Sequence, residues 1–142
     1  MTIRHIASFC ALLLAAGLAN AQDKPVIKKV PMKQTSPASG KEMYTQYCAA
    51  CHGTDAKGEG PAAPALKTPP ANLTILAKSN GGKYPSDRVG EILRTGTGVA
   101  AHGSADMPTW GPLFRALDPG HDVTVQQRIH NLNDYLSSLQ AK

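Results

Sequence analysis

Residues 48–53 read CAACHG. Two cysteines and a histidine fall within five positions, a density that points to a chemical site rather than to packing. Three chemistries use such a cluster: a zinc site, an exchangeable dithiol, or a covalently held haem. The rest of the chain decides among them.

The compartment comes first. Residues 1–21, MTIRHIASFCALLLAAGLANA, have a basic start at Arg4 and His5 and an apolar run from Ile6 to Leu18. They close on Ala19-Asn20-Ala21, a small-x-small signal. This pattern predicts a secretory signal peptide cleaved after Ala21, and hence a periplasmic or otherwise exported protein. The run is shorter than the roughly 20 residues of a membrane helix, so no span is expected once it is removed. Cys10 follows the bulky Phe9 and belongs to this discarded segment. Cys48 and Cys51 then remain, in an oxidising compartment. A bridge between them would close a very small loop and contribute little stability.

The formal charge of +5 sits mostly outside the domain. Residues 22–38, QDKPVIKKVPMKQTSPA, carry four lysines against Asp23, together with Pro25, Pro31 and Pro37. They read as a flexible Lys/Pro-rich tail. The domain proper, 39–142, is close to neutral. Nucleic-acid binding needs a basic face on the folded domain with aromatic stacking residues, and this chain offers neither.

Within the domain the periodicity is helical. Ser39-Gly40-Lys41-Glu42 has the form of a capping box, so a helix should begin there. Tyr44, Tyr47, Cys48 and Cys51 follow on one face, and Gly53 should end it. Residues 53–70 read as an ordered loop rich in Gly and Pro. A short helix is expected from Asn72 to the Gly81-Gly82 stop, and another from Ser86 to Gly96, burying Val89, Ile92 and Leu93. Residues 96–112 read as a second loop. The last helix, capped by Thr124-x-x-Gln127, carries Val125, Ile129, Leu132, Leu136 and Leu139 as one apolar stripe. No alternating strand pattern is visible. The fold class is mainly α, with four to five short helices and long loops. With 13 Gly, 11 Pro and 5% aromatic residues, the chain has little apolar material for a core. Long loops in a small domain usually have a functional cause. A large apolar cofactor at the centre would supply the missing core.

These features separate the three chemistries. A closed zinc site wants about four ligands, usually as two pairs. Only His102, His121 and His130 remain as candidates, with no second cysteine pair. A redox dithiol wants a βαβ setting and a cysteine at a helix start, whereas this pair ends a helix. Cys-x-x-Cys-His is the attachment signal of c-type haem. Thiols at i and i+3 share a helical face and can add to the two haem vinyl groups. The adjacent histidine is then carried over the ring, within reach of the iron.

The chain resembles the class I c-type cytochromes, in particular the bacterial monohaem ones. Cys48, Cys51 and His52 match the haem site, and Met107-Pro108-Thr109-Trp110 resembles the segment carrying the second axial ligand. Gly40 and Tyr44 match the glycine and aromatic of the family's first helix, with Leu132 and Tyr135 where the last helix crosses it. Pro64-Ala65-Leu66 resembles the loop whose proline carbonyl holds the proximal histidine. The resemblance spans about residues 39–140 and implies a cytochrome c fold wrapped around one covalent haem c, with iron ligated by His52 and Met107. Met32 in the tail and Met43 on the first helix are the other methionines expected to remain after cleavage. His102 is the rival to Met107 in the same loop, and the resemblance favours Met107. A His/Met pair raises the reduction potential. Trp110 and Arg94 are candidate donors to the haem propionates.

The implied function is a monomeric electron carrier rather than an enzyme. It would cycle between Fe(III) and Fe(II), taking electrons from a donor dehydrogenase or cytochrome complex and passing them to an acceptor such as a terminal oxidase. An electron-entry subunit of a larger redox enzyme is the alternative. A haem enzyme or gas sensor would need a labile sixth ligand.

Overall fold

The computed structural model describes residues 31–96 and 107–141. Residues 1–21, where a signal peptide is expected, Cys10 among them, tail residues 22–30 and His102 lie outside the described residues. Among the described residues there are helices, turns and loops, and no strand.

The chain begins its first helix where the capping box places it. Ser39 Oγ accepts from the Glu42 N–H at 3.2 Å. The Glu42 carboxylate reaches back to the Ser36 N–H instead of to Ser39. Helix α1 (Gly40–Met43) passes into a π-helical stretch (Tyr44–Cys48) and then α2 (Ala49–His52), with no break between them. Gly53, at φ +79°, ends the run. The Tyr44 hydroxyl donates to the Gly53 carbonyl at 2.6 Å and so pins the exit.

The last carbonyls of a helix lack intrahelical partners, and the following loop supplies them. Gly58, Gly60 and Ala62 donate their N–H groups to the carbonyls of His52, Cys51 and Ala50, at 2.8, 3.0 and 2.9 Å. The loop therefore folds back along α2. The Leu73 N–H then reaches the Ala56 carbonyl at 2.8 Å and closes it.

Three 3₁₀ turns follow: Ala63–Ala65, Leu73–Ile75 and Lys78–Asn80. The sequence suggests a helix from Asn72. Asn72 does cap, its Oδ1 accepting from the Thr74 N–H at 2.9 Å. Only two short turns form, because the C-terminus competes for the same backbone. Gln140 donates to the Leu73 carbonyl at 2.7 Å and accepts from the Ala77 N–H at 2.9 Å. Helix α3 (Ser86–Thr95) stops at Gly96, which is left-handed at φ +69°. Val89 and Leu93 are buried, and Ile92 is half-buried.

Helix α4 (Trp110–Leu117) occupies part of the stretch that reads as loop. Gly111 and Pro112 disguise it, yet proline is tolerated in a first turn. Gly111 is required there, because a β-carbon would overlap the Arg94 carbonyl oxygen of α3. Helix α5 (Asp122–Ser138) starts two residues before Thr124 and buries Val125, Ile129, Leu132 and Leu136. It packs across α1 and α3. A β-carbon on Gly40 would overlap the Asn131 carbonyl oxygen and lie 2.7 Å from Tyr135 Cβ. That is the helix crossing the sequence suggests at Tyr135, with Asn131 rather than Leu132 as the nearest neighbour of Gly40.

The packed domain begins at Met32, earlier than Ser39. Thr35 is buried, and Arg128 of α5 donates to its carbonyl at 2.9 Å and its hydroxyl at 3.0 Å. Arg128 is 1% exposed and pairs with Asp118 at 2.7 Å. Its guanidinium also lies 5.9 Å from the Phe114 ring centre. Tyr47 adds a hydrogen bond to the Lys33 carbonyl at 2.6 Å. A polar segment thus packs because one buried cation holds it, a pairing that composition does not reveal.

Candidate functional site: an apolar cleft around Cys48, Cys51 and His52

A cavity of about 230 Å³ opens between the first helix, the 66–80 loop, α3 and the start of α4. Cys48, Cys51 and His52 line it, together with Met107, Pro108 and Trp110. Leu73, Leu76, Ile92 and Leu136 supply apolar wall. Met43, Tyr44 and Cys48 of the same helical run are buried in the core, which anchors the motif beside the cavity.

Both thiols are unbridged; Cys48 is buried and Cys51 half-buried. Burial, with the neighbouring Cys51 as the smaller cause, pushes the Cys48 thiol up to about 12. A reactive exchange dithiol has the opposite character, a thiol lowered by positive surroundings. Among the described residues no three His, Cys, Asp or Glu side chains gather as a metal site.

His52 is 7% exposed. Its Nδ1 donates to the Ala71 carbonyl at 3.0 Å. This fixes the tautomer, since a carbonyl can only accept, and leaves the lone pair on Nε2. The sequence resemblance assigns the acceptor to Pro64, and the structure corrects it. Pro64 is exposed in the Ala63–Ala65 turn and does not line the cavity. The reason is local: residues 58–62 are used in bonding the end of α2, so the chain returns to His52 only after Pro69-Pro70. That rigid dipeptide was the signal available for Ala71.

The other candidates separate cleanly. Met107 is half-buried and lines the same cavity as the motif. Met43 is fully buried in the core, and Met32 packs on the core away from the cavity. Trp110 is 5% exposed and stacks on Tyr47, ring centres 5.5 Å apart. Arg94 turns to Glu91 at 2.9 Å, whereas Arg88 stands at the cavity wall. His121 is exposed, and His130 is exposed beside Asp134 at 3.3 Å.

The residues fit a haem group on this structure's own terms. Two thiols, an imidazole oriented by its second nitrogen and a thioether meet in one apolar cleft. The apolar walls supply the dry surroundings such a ring needs, and the thiols are placed on the same wall as the histidine.

Comparison with known proteins agrees with this geometry. Residues 35–118, more than half of the chain, match the family model described as cytochrome c oxidase, cbb3-type, subunit III. The chain is also similar to cytochrome c-551 of Bacillus subtilis (strain 168), with 28% identity over 107 residues, covering 75% of this chain and 83% of that protein. No solved structure matches it. An α-helical fold, a Cys-x-x-Cys-His motif facing an apolar cleft and a family model over most of the domain lead to one conclusion: the chain belongs to the cbb3-type subunit III cytochrome family and is a class I c-type cytochrome, an electron-transfer haem protein.

Proposed function

We propose that this protein is an exported monohaem cytochrome that carries single electrons between a donor dehydrogenase or cytochrome complex and an acceptor such as a terminal oxidase. The observation that carries the reading is the meeting of Cys48, Cys51, His52 and Met107 at one apolar cavity. The haem supplies reversible one-electron chemistry when bound. Cys48 and Cys51 hold it as thioethers. His52 would offer Nε2 with its orientation set by Ala71, and Met107 would offer a soft, neutral sulfur from the same cavity. Leu73, Leu76 and Ile92 make the cavity apolar and would keep water from the bound group. With His52 and Met107 as its two protein ligands, the haem would serve electron transfer rather than substrate binding.

A second reading is supported by the family match, whose description names a subunit of an oxidase. In that case the domain is an electron-entry subunit and has stable partner chains. No helix among the described residues is long and apolar enough to cross a membrane. Native size on extraction distinguishes a monomer from an assembled subunit.

The test of the haem assignment is covalent attachment. Haem should stay with the wild-type chain through denaturation and acid–organic extraction. Cys48→Ala and Cys51→Ala should each lose one thioether, and the double variant should release all haem. A wild-type chain that surrenders its haem to extraction would overturn the assignment.

A further inference from the structure

The loop that orients His52 is itself seated on a glycine outside the Cys-x-x-Cys-His motif. Gly58 is buried and left-handed, at φ +94°. Its N–H donates to the His52 carbonyl at 2.8 Å. A β-carbon there would overlap the Pro70 carbonyl oxygen. It would also lie 3.2 Å from the Pro70 carbonyl carbon and 3.4 Å from that of Ala71. The Ala71 carbonyl is the group that accepts from His52 Nδ1. Gly58 thus meets the histidine from two sides. It holds the backbone directly, and its bare α-carbon lets the ring's acceptor approach.

We propose that Gly58 is a positioning residue for His52, setting the strength of the His52–Ala71 hydrogen bond and through it the reduction potential of the haem. The inference rests on the haem reading above. Any side chain at 58 must displace the Pro70–Ala71 peptide. The bond has little slack: it measures 3.0 Å, and a contact at about 3.6 Å is no longer a hydrogen bond. Donation from Nδ1 makes the imidazole a more basic ligand. A more basic ligand favours the oxidised, more positive iron. Weakening the bond therefore raises the potential. Mere loosening of the loop has the opposite sign, because water entering the apolar cleft favours the more highly charged oxidised iron and lowers the potential.

The experiment compares haem-loaded wild type, Gly58→Ala and Gly120→Ala. Gly120 is also left-handed, at φ +77°, but a β-carbon on it meets nothing. In Gly58→Ala the reduction equilibrium should shift toward the reduced form by up to about tenfold, which is about 59 mV for one electron. The His52 Nδ1–H, observed by NMR in the reduced protein, should lose protection against solvent exchange. Gly120→Ala should change neither. In the wild type, the Gly58 amide and the His52 Nδ1–H should exchange through one shared opening, a measurement that stands even if Gly58→Ala does not accumulate. A potential that is unchanged or lowered, a protected Nδ1–H in the variant, or wild-type exchange rates that respond separately to denaturant would overturn the inference. A wild-type chain without covalent haem would overturn the haem reading itself, and this inference with it.

Discussion

Replacing Gly40 by valine tests the helix crossing on which the whole domain closes. A β-carbon at 40 would stand 2.7 Å from Tyr135 Cβ and 2.8 Å from the Asn131 carbonyl carbon. Non-bonded carbons rest at about 3.5–4.0 Å. The two helices must therefore separate by about 1 Å, and valine's methyls widen the gap further. Overpacking of this kind costs about 1–3 kcal/mol. Valine is a better helix former than glycine by only a few tenths of a kcal/mol, which leaves the sign unchanged. For a domain near 100 residues, each kcal/mol moves the melting temperature by about 4–8 °C. Gly40→Val should then lower it by roughly 4–24 °C, with Gly40→Ala between it and wild type. Thermal unfolding of the haem-loaded protein, followed by far-UV circular dichroism, reads this directly. A valine variant melting within about 4 °C of wild type would refute the crossing as the point of closest approach.

Two further substitutions probe the ligand and the N-terminal clamp. Met107→Ala should abolish the weak near-infrared sulfur-to-iron band of the oxidised protein, lower the potential and let the reduced protein bind carbon monoxide; persistence of the band would remove Met107 from the iron. Arg128→Met leaves Asp118 unpaired and releases Thr35, so it should cost about 3 kcal/mol and expose the Lys33 peptide bond to trypsin. The added change Asp118→Leu should recover part of that loss, and an unaltered tryptic pattern would show that the clamp does not hold the segment.

The parts legible in the sequence are those set by short-range pattern. The capping serine, the cysteine–histidine spacing, the Gly53 and Gly96 stops and the stripe on α5 all act within one or two turns, and each lies where its residues place it. The Gly40 crossing was legible through resemblance, and the structure adds Asn131 to it. What escaped depends on partners far apart in the chain. Ala71 accepts from a histidine 19 positions earlier, and nothing in an alanine advertises a carbonyl. Gln140 draws the 73–77 backbone into turns across more than sixty residues. Arg128 recruits Thr35 from 93 residues away, so a stretch with the composition of a linker becomes part of the fold. Helix α4 was hidden differently, by a glycine and a proline that suit a first turn and a close crossing as readily as a loop.

The embrace between α1 and α5 also has a bearing on time. Gly40 meets Asn131 and Tyr135, and Cys48, only 8% exposed, lies in the same continuous helical run. A chain is made from its N-terminus, so the CAACH segment exists for most of synthesis without the helix that covers its neighbours. Closure over such a long stretch carries the entropy of a large loop and comes late. The contact that closes Gly40 in is therefore among the last long-range contacts to form, and the order of residues along the chain bears on the order in which the domain closes.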